Sequence, residues 1–94
     1  MIISPEEIVS AVERLDDWEE RNGKLARTYV FADFVEAIGF MMRVAIWAEQ
    51  LNHHPEWHNV YRTVKVELVT HDVGGITEHD ISLAAKMNEL AKRS

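Results

Sequence analysis

The sequence predicts an α+β fold in which one four-stranded antiparallel sheet carries three helices on a single face. Three observations favour this fold: helical apolar stripes alternate with pairs of strand patterns, Asn22-Gly23 forms a turn within the first pair, and no repeat or low-complexity linker interrupts the chain. The predicted order is α-β-β-α-β-β-α, and strand pairs separated by helices favour a sheet that is covered on one side. We expect a single domain over residues 1–94.

The first helix is predicted to begin after Ser4, which can act as its N-cap. Pro5 fits the first helical position, and Glu7 can complete a capping box with Ser4. The apolar residues that follow at helical spacing predict an inner face of Ile8, Val9, Val12 and Leu15. Asp16 and Asp17 are unfavourable at a helix C-terminus, so we expect the helix to end there.

Four strands are predicted as two pairs. Residues 18–20 and 25–31 form the first pair around Asn22-Gly23, a dipeptide typical of tight hairpins. Residues 57–63 and 64–70 form the second pair. Within 64–70 apolar and charged side chains alternate, which indicates a strand with one buried and one exposed face.

The second helix is expected to run from the cap residue Asp33 to about residue 52, and Pro55 prevents its continuation. It is apolar on two faces: one stripe is Phe34, Ile38, Met41, Ala45 and Ala48, and the other is Phe40, Val44, Trp47 and Leu51. Such a helix must be covered on two sides, so we expect the sheet on one side and another subunit on the other. A single thick core helix is the alternative. The last helix, 78–92, is predicted to be capped by Thr77.

Composition and charge exclude several classes of protein. The chain has no cysteine, which excludes disulfides and thiolate metal sites. Its net charge of -6 and the lack of a Lys/Arg cluster argue against nucleic-acid binding. The N-terminal residues do not resemble a signal peptide, and the most apolar segment contains Glu36, Arg43 and Glu49, which argues against a membrane span. We therefore expect a cytoplasmic protein.

The stretch HHPEWHNVY, which begins at His53, carries the side chains best suited to chemistry. Imidazole titrates near neutral pH, so clustered histidines indicate proton transfer. Glu49 lies four residues before His53 on the predicted last helical turn, and we expect its carboxylate to orient that ring. His54 follows directly, and His71 is expected to close the fourth strand.

A shared pocket follows if that strand end lies beside the end of the second helix. The three imidazoles and Glu49 would then surround it, and Trp57 would supply an aromatic wall. Such a pocket suits acid–base chemistry on a planar, neutral heterocycle. No nucleophile is predicted, because cysteine is missing and no serine has an elbow motif. Asp80 is expected to cap the last helix, with a place at the edge of the pocket as the alternative.

A metal site made of His53, His54 and His71 is a competing interpretation. Adjacent histidines rarely bind one ion together, and the sequence has no H-E-x-x-H pattern, so no metal site is predicted. His58 and His79 are expected to have no catalytic role, since an isolated histidine is usually solvated or paired.

Two segments, AEQLNHHPEWHNVY and VELVTHDVGGITEHDISLA, resemble the pterin-4a-carbinolamine dehydratase family. The E-x-x-x-H-H-P-x-W pattern is highly specific, and the resemblance extends upstream through Trp18, Arg27, Tyr29 and Phe31 to the helix AIGFMMRVAIWAE. It implies the family's four-stranded antiparallel sheet backed by three helices. It also implies association into homodimers or homotetramers, for which a strand edge and the second helix are the candidate contacts.

The resemblance implies an active site built from three histidines and one glutamate. In this sequence these are His53, His54, His71 and Glu49. The candidates for holding the substrate are His54, Asn52, Trp57 and Asp80. Asn52 departs from the family pattern, because relatives often carry Asp at this position.

The activity implied by the resemblance is the dehydration of 4a-hydroxytetrahydrobiopterin to quinonoid dihydropterin, which recycles the pterin cofactor of aromatic amino-acid hydroxylases. His53 and His71 would be the proton donors, and His54 would bind the pterin. No metal or organic cofactor is implied, because ring nitrogen N5 supplies the electron push. The alternative is a non-enzymatic dimerisation or scaffold module that binds a partner protein, such as a transcription factor.

Overall fold

A computed structural model describes residues 1–92 and confirms the predicted order of helices and strands. The elements are α1 (Pro5–Arg14), β1 (Glu19–Arg21), β2 (Lys24–Val30), α2 (Phe34–Leu51), β3 (Glu56–Val60), β4 (Thr63–Leu68) and α3 (Glu78–Ala91). The four strands form one antiparallel sheet in the order β1-β2-β4-β3. The predicted α+β fold, with helices packed on one face of this sheet, is therefore confirmed.

The helices begin where their capping residues predict. The hydroxyl of Ser4 accepts a hydrogen bond from the amide of Glu7 at 3.1 Å, and the Glu7 carboxylate accepts one from the Ser4 amide at 3.0 Å. The hydrogen bond from the Ser4 amide, followed by one from the Ser4 hydroxyl, holds the pKa of the Glu7 carboxyl below its ordinary value. Asp33 caps α2 by accepting from the amide of Glu36 at 2.8 Å. Each cap satisfies amide groups that the helix itself leaves without a partner.

The core lies between the helices and one face of the sheet. Alternate residues of β2 and β4 point into it, because successive side chains of a strand lie on opposite faces. The fully buried large side chains from the strands and helices include Leu25, Val64, Val66, Leu68, Phe40, Val44, Leu83 and Met87. Burying a side chain of this size stabilises a fold by about 1.5–3 kcal/mol, so this face fixes the register of both central strands.

The two hairpins differ in how clearly the sequence marks them. Asn22 and Gly23 both adopt positive φ, 54° and 79°, as a tight hairpin turn requires, and the first turn is confirmed. The second turn lies at Tyr61-Arg62, so the predicted boundary between residues 63 and 64 is wrong. The side-chain amide of Asn59 holds this turn by donating to the carbonyls of Tyr61 and Thr63, at 3.1 and 3.0 Å.

Two predicted helix faces also need correction. Val9 is exposed, and Ala11 takes the buried position of α1. The inner face of α2 is Ala37, Phe40, Val44 and Ala48. It takes Ala48 from one predicted stripe and Phe40 and Val44 from the other, and Ala37 belongs to neither. An α-helix that is apolar almost all round has no hydrophobic contrast that selects its inner face, so packing against the sheet selects it.

The segment after β4 forms a loop that the N-terminal residues cover. β4 ends at Leu68, and an isolated bridge between Thr70 and Gly75 closes the loop. The amide of Ile3 donates to the carbonyl of Ile76 at 3.0 Å. A Cβ atom at Gly75 would lie 2.7 Å from a side-chain carbon of Ile2, so a larger residue there would require the Ile2 side chain to shift. His71 therefore lies in an anchored loop, and its predicted position at the end of the fourth strand is wrong.

Candidate active site

His53 forms the most buried of the histidine pairs in the predicted site. Its Nε2 donates to Oδ1 of Asp80 at 2.5 Å, and its side chain is only 10% exposed. Asp80 itself is fully buried in the first turn of α3. The last helix thus supplies a carboxylate to a ring that follows the end of α2.

Asp80 has two roles that share its two carboxylate oxygens. Its Oδ2 accepts hydrogen bonds from the amide of Thr77 at 2.8 Å and from the hydroxyl of Thr70 at 2.9 Å. The Thr77 contact completes the capping box of α3, as the sequence predicts for this residue. Its Oδ1 remains for His53, and a buried carboxylate with several donors is held rigidly. The structure therefore places Asp80 beside a predicted catalytic histidine.

Glu49 pairs with His54, and the predicted pair of Glu49 with His53 is wrong. Nε2 of His54 lies 2.9 Å from Oε1 of Glu49. The reason is the backbone at Asn52, which adopts the left-handed conformation with φ of 52° and ends α2. The amide of His53 then donates to the carbonyl of Ala48 at 3.0 Å, as in a Schellman motif. His53 has left the helix, so the four-residue spacing no longer places it above Glu49.

His71 pairs with a carboxylate that the sequence did not single out. Its Nε2 donates to Oε2 of Glu56 at 2.7 Å, and Oε1 of Glu56 accepts from Nζ of Lys24 at 2.6 Å. The bond from Lys24, followed by that from His71, holds the pKa of Glu56 below its ordinary value. The same bond to Glu56 raises the pKa of Lys24. Both shifts favour the charged forms at neutral pH.

The three histidines belong to one region of the surface. His53 and His54 are consecutive, and His71 follows Thr70, whose hydroxyl shares Asp80 with His53. His54 and His71 are 55% and 62% exposed, so this region is an open surface around one nearly buried ring. A cavity of about 810 Å³ lies along the sheet, and its lining includes Glu56 and Trp57 but none of the three histidines. The small pocket surrounded by three imidazoles stays a prediction.

Two predicted substrate-binding residues have structural roles of their own. Asn52 ends α2 in a left-handed conformation that asparagine tolerates better than most residues. Trp57 lies on β3 and packs partly against the core, at the edge of the large cavity. Their contacts with a substrate stay predictions.

Sequence reasoning missed several residues of this region. Glu56 directly follows the HHP sequence, but its partners come from β2 and the loop after β4, which only the sheet topology brings together. Thr70 is a second such residue, because a threonine next to a histidine does not by itself indicate a functional contact. His79, expected to have no catalytic role, places its ring 5.7 Å from that of His53.

The shared feature of the site is a carboxylate on Nε2 of each predicted histidine. Such a partner fixes the tautomer and the orientation of the ring. Nδ1 is then the nitrogen that can give a proton to a bound molecule or take one from it. Within residues 1–92 no group of three or more His, Asp or Glu side chains is arranged to hold a metal ion. The chemistry that the side chains themselves can perform is general acid–base catalysis.

Comparison with known proteins shows the family of this chain. Residues 1–90 match the family model described as pterin 4 alpha carbinolamine dehydratase. A protein of Rhodopseudomonas palustris strain HaA2, provisionally named a pterin-4-alpha-carbinolamine dehydratase, is 55% identical over 83 residues, which cover 86% of this chain and 82% of the relative. A protein of Solibacter usitatus with the same provisional name is 53% identical over 89 residues, covering 95% and 94%.

Solved structures show the same fold. A transcriptional coactivator/pterin dehydratase from Brucella melitensis superposes with a TM-score of 0.93 at 43% identity, covering 97% of this chain and 99% of that one. A pterin dehydratase-like protein that is a RuBisCO assembly factor in the alpha-carboxysome superposes with a TM-score of 0.70 at 20% identity, covering 80% and 89%. The second likeness concerns the fold alone. From the family match over residues 1–90 and the close relatives, the chain belongs to the pterin 4 alpha carbinolamine dehydratase family.

Proposed function

We propose that this protein catalyses the dehydration of a 4a-hydroxytetrahydropterin, such as 4a-hydroxytetrahydrobiopterin, to the quinonoid dihydropterin. The observation that carries the proposal is the carboxylate on Nε2 of each of His53, His54 and His71, at 2.5, 2.9 and 2.7 Å. Membership of the dehydratase family supports the same substrate class. The product would return to the pterin pool of aromatic amino-acid hydroxylases, and we place the protein in the cytoplasm.

The reaction needs a proton donor and a proton acceptor. The lone pair of N5 pushes toward C4a, the C4a–O bond breaks, and the leaving hydroxyl takes a proton and departs as water. Loss of the proton from N5 then gives the neutral product with its new double bond between C4a and N5. A positioned acid or base typically accelerates such a step by about 10²–10⁴-fold.

The environments of the three rings suggest a division of roles. His53 is nearly buried beside Asp80, so we assign it the proton transfer that must occur away from bulk water. His71, with Glu56 as its partner, is the second proton donor. His54 is half exposed and pairs with a highly exposed Glu49, which suits contact with the polar rim of the pterin. Asn52 and Trp57 are proposed to complete the binding surface.

Self-association is the second part of the proposal. The outward face of α2 exposes apolar side chains, namely Val35, Ile38, Met42 and Ile46. β3 is an edge strand of the sheet, so its outer hydrogen-bonding groups face away from the other strands. We propose that these two surfaces form the contacts of a homodimer or homotetramer.

A non-enzymatic role is the second candidate function. The same apolar face of α2 can bind a different protein, and one solved relative is named a transcriptional coactivator as well as a dehydratase. A pure scaffold, however, gives no reason for a fully buried Asp80 to hold His53 in place. The enzyme is therefore the function that the site supports best.

The test is the rate of 4a-hydroxytetrahydropterin dehydration with the pure protein, its His53→Ala variant and a His58→Ala control. His58 lies on β3 and is exposed, so the control removes an imidazole from outside the site. We expect acceleration by the wild type and the control, and a loss of about 10²-fold or more in His53→Ala. No acceleration by the wild type would favour the scaffold, and a rate that a chelator abolishes would favour a metal site.

A further inference from the structure

We propose that Glu56 is a positioning residue for His71 and that Lys24 holds Glu56 in place for this task. The inference rests on the proposed function, since it assigns a partner to one of its two proton donors. The observation is a continuous chain of two hydrogen bonds, from Nζ of Lys24 to Oε1 of Glu56 at 2.6 Å and from Nε2 of His71 to Oε2 of Glu56 at 2.7 Å.

His71 needs such a partner because its own segment does not fix the ring. It lies in the loop after β4, and its side chain is 62% exposed. His53 is held by burial and by Asp80, whereas an exposed imidazole in a loop can rotate among several rotamers. One carboxylate on Nε2 selects the tautomer and the ring orientation, and it leaves Nδ1 for the substrate.

Glu56 lies where it can hold the His71 ring in one orientation. It is the first residue of β3, and its backbone pairs with Glu67 of β4 in the regular sheet. Lys24 begins β2, on the other side of β4. The Lys24 side chain therefore reaches across the end of β4 and fixes one oxygen of Glu56, which leaves the other oxygen directed to His71.

A surface ion pair alone would not explain this arrangement. An exposed pair of this kind contributes little to stability, because water screens it and two long side chains lose freedom. Both oxygens of Glu56 are engaged, by a cation on one side and an imidazole on the other. The arrangement uses two strands to restrain one exposed ring, which is the task of a positioning residue.

Other charged groups lie near this chain of hydrogen bonds. Glu67 on β4 lies close enough to Lys24 to affect it, and Asp72 follows His71 in the loop. Replacing Glu56 should release the His71 ring from its partner on Nε2, and replacing Lys24 should leave Glu56 less firmly held.

The first measurement is the NMR assignment of the His71 tautomer in the full-length protein, with Glu56→Gln, Lys24→Met and Glu67→Gln variants. Glu67→Gln is the matched control, since it removes one negative charge from the neighbouring strand without removing the partner of His71. We expect the neutral ring of the wild type to carry its proton on Nε2. This preference should weaken in Glu56→Gln, weaken less in Lys24→Met and stay unchanged in the control.

The second measurement is the pH dependence of kcat for dehydration. In Glu56→Gln we expect kcat at neutral pH to fall several-fold, with KM changed less and with a pH profile that differs from that of the wild type. An unchanged tautomer in Glu56→Gln, or an equal change in Glu67→Gln, would overturn the pairing.

The two measurements separate this inference from the proposed function. A wild-type protein without dehydratase activity would refute the function, while the NMR tautomer assignment would still decide whether Glu56 controls His71. If His71→Ala impairs dehydration and Glu56→Gln leaves both kcat and its pH profile unchanged, Glu56 has no positioning role.

Discussion

At the scale of single residues, the buried carboxylate of Asp80 has the strongest influence on the site. A buried charge is costly unless donors surround it, and Asp80 receives hydrogen bonds from Thr77, Thr70 and His53. Two of these donors belong to the start of α3 and to the loop before it, so the carboxylate is fixed before any substrate arrives. The carboxylate that caps the last helix thus also supports the ring of His53.

Replacing Asp80 with asparagine should therefore impair both activity and stability. The Asp80→Asn change preserves the shape but removes the carboxylate that holds the His53 ring, and we expect kcat to fall by about 10²-fold. The free energy of unfolding should fall by about 1–3 kcal/mol, because buried hydrogen bonds to a charged group are lost. Steady-state kinetics and urea unfolding measure the two effects.

The matched control is Glu7→Gln, which changes the equivalent residue of the capping box of α1, remote in sequence from the histidines. It should lower the stability slightly and leave kcat unchanged. Equal loss of activity in both variants would mean that Asp80 acts only through the stability of its helix.

The identity of the histidine partners shows what the sequence can and cannot predict at this scale. The HHPEW sequence and the positions of the three histidines are visible in the chain, but the pairing of Glu49 depends on one backbone conformation. Because Asn52 turns into the left-handed region, Glu49 meets His54 while His53 turns toward Asp80. Spacing rules assume that the helix continues, so they fail one residue beyond its end.

At the scale of helices and strands, local sequence signals predict the element boundaries wherever the chain carries a helix cap or a turn dipeptide. The capping boxes of α1 and α3 and the Asn22-Gly23 turn all lie where the sequence predicts them. The second hairpin has no such signal: Tyr61 adopts positive φ without being glycine, asparagine or aspartate, and the side chain of Asn59 stabilises the turn from outside it. That contact exists only in the folded hairpin. Periodicity alone therefore places the boundary between the two strands too far along the chain.

The outward face of α2 leads to a prediction about assembly. Ile46 is more than half exposed on this face, and a charge there would have to lose its hydration in any contact between subunits. We expect the wild type to sediment as an oligomer and Ile46→Glu to lower the average mass at equal concentration, as measured by sedimentation velocity.

Val9→Glu on α1 is the control for this experiment, because it places the same charge on another exposed apolar position. It should leave the oligomer intact. A monomeric wild type, or an Ile46→Glu protein with unchanged mass, would show that α2 is not the contact surface.

At the scale of the whole molecule, a polar cluster joins the last helix to the sheet. Oδ1 of Asn88 on α3 accepts hydrogen bonds from Trp18, Arg27 and Tyr29, at 2.9, 2.5 and 2.5 Å. The guanidinium of Arg27 also lies 4.1 Å from the centre of the Tyr29 ring. These contacts span about 60–70 residues of sequence, which local patterns do not reveal. They appear only when the sheet and α3 have packed together.

Burial within this cluster raises the pKa of Tyr29 to about 12. Desolvation of the phenolate is the main cause, and the nearby Arg27 opposes it. Between pH 10 and pH 12 the unfolded chain releases the phenol proton while the folded protein retains it, so the free energy of unfolding falls as pH rises. The contribution of the protonated phenol to the free energy of unfolding amounts to roughly 2–3 kcal/mol. It is fully present below about pH 10 and is lost as the pH rises through about 12.

A Tyr29→Phe variant should lose this part of the alkaline sensitivity. At pH 9 we expect it to be about 1 kcal/mol less stable than the wild type, because the hydrogen bond to Asn88 is lost. By pH 11.5 the difference should vanish or reverse, since phenylalanine has no proton to release. Urea unfolding at the two pH values measures the change, and Lys24, whose raised pKa affects the same range, contributes equally to both proteins. Tyr61→Phe, at an exposed position, should follow the wild type at both pH values, and parallel behaviour of Tyr29→Phe would contradict a buried, neutral Tyr29.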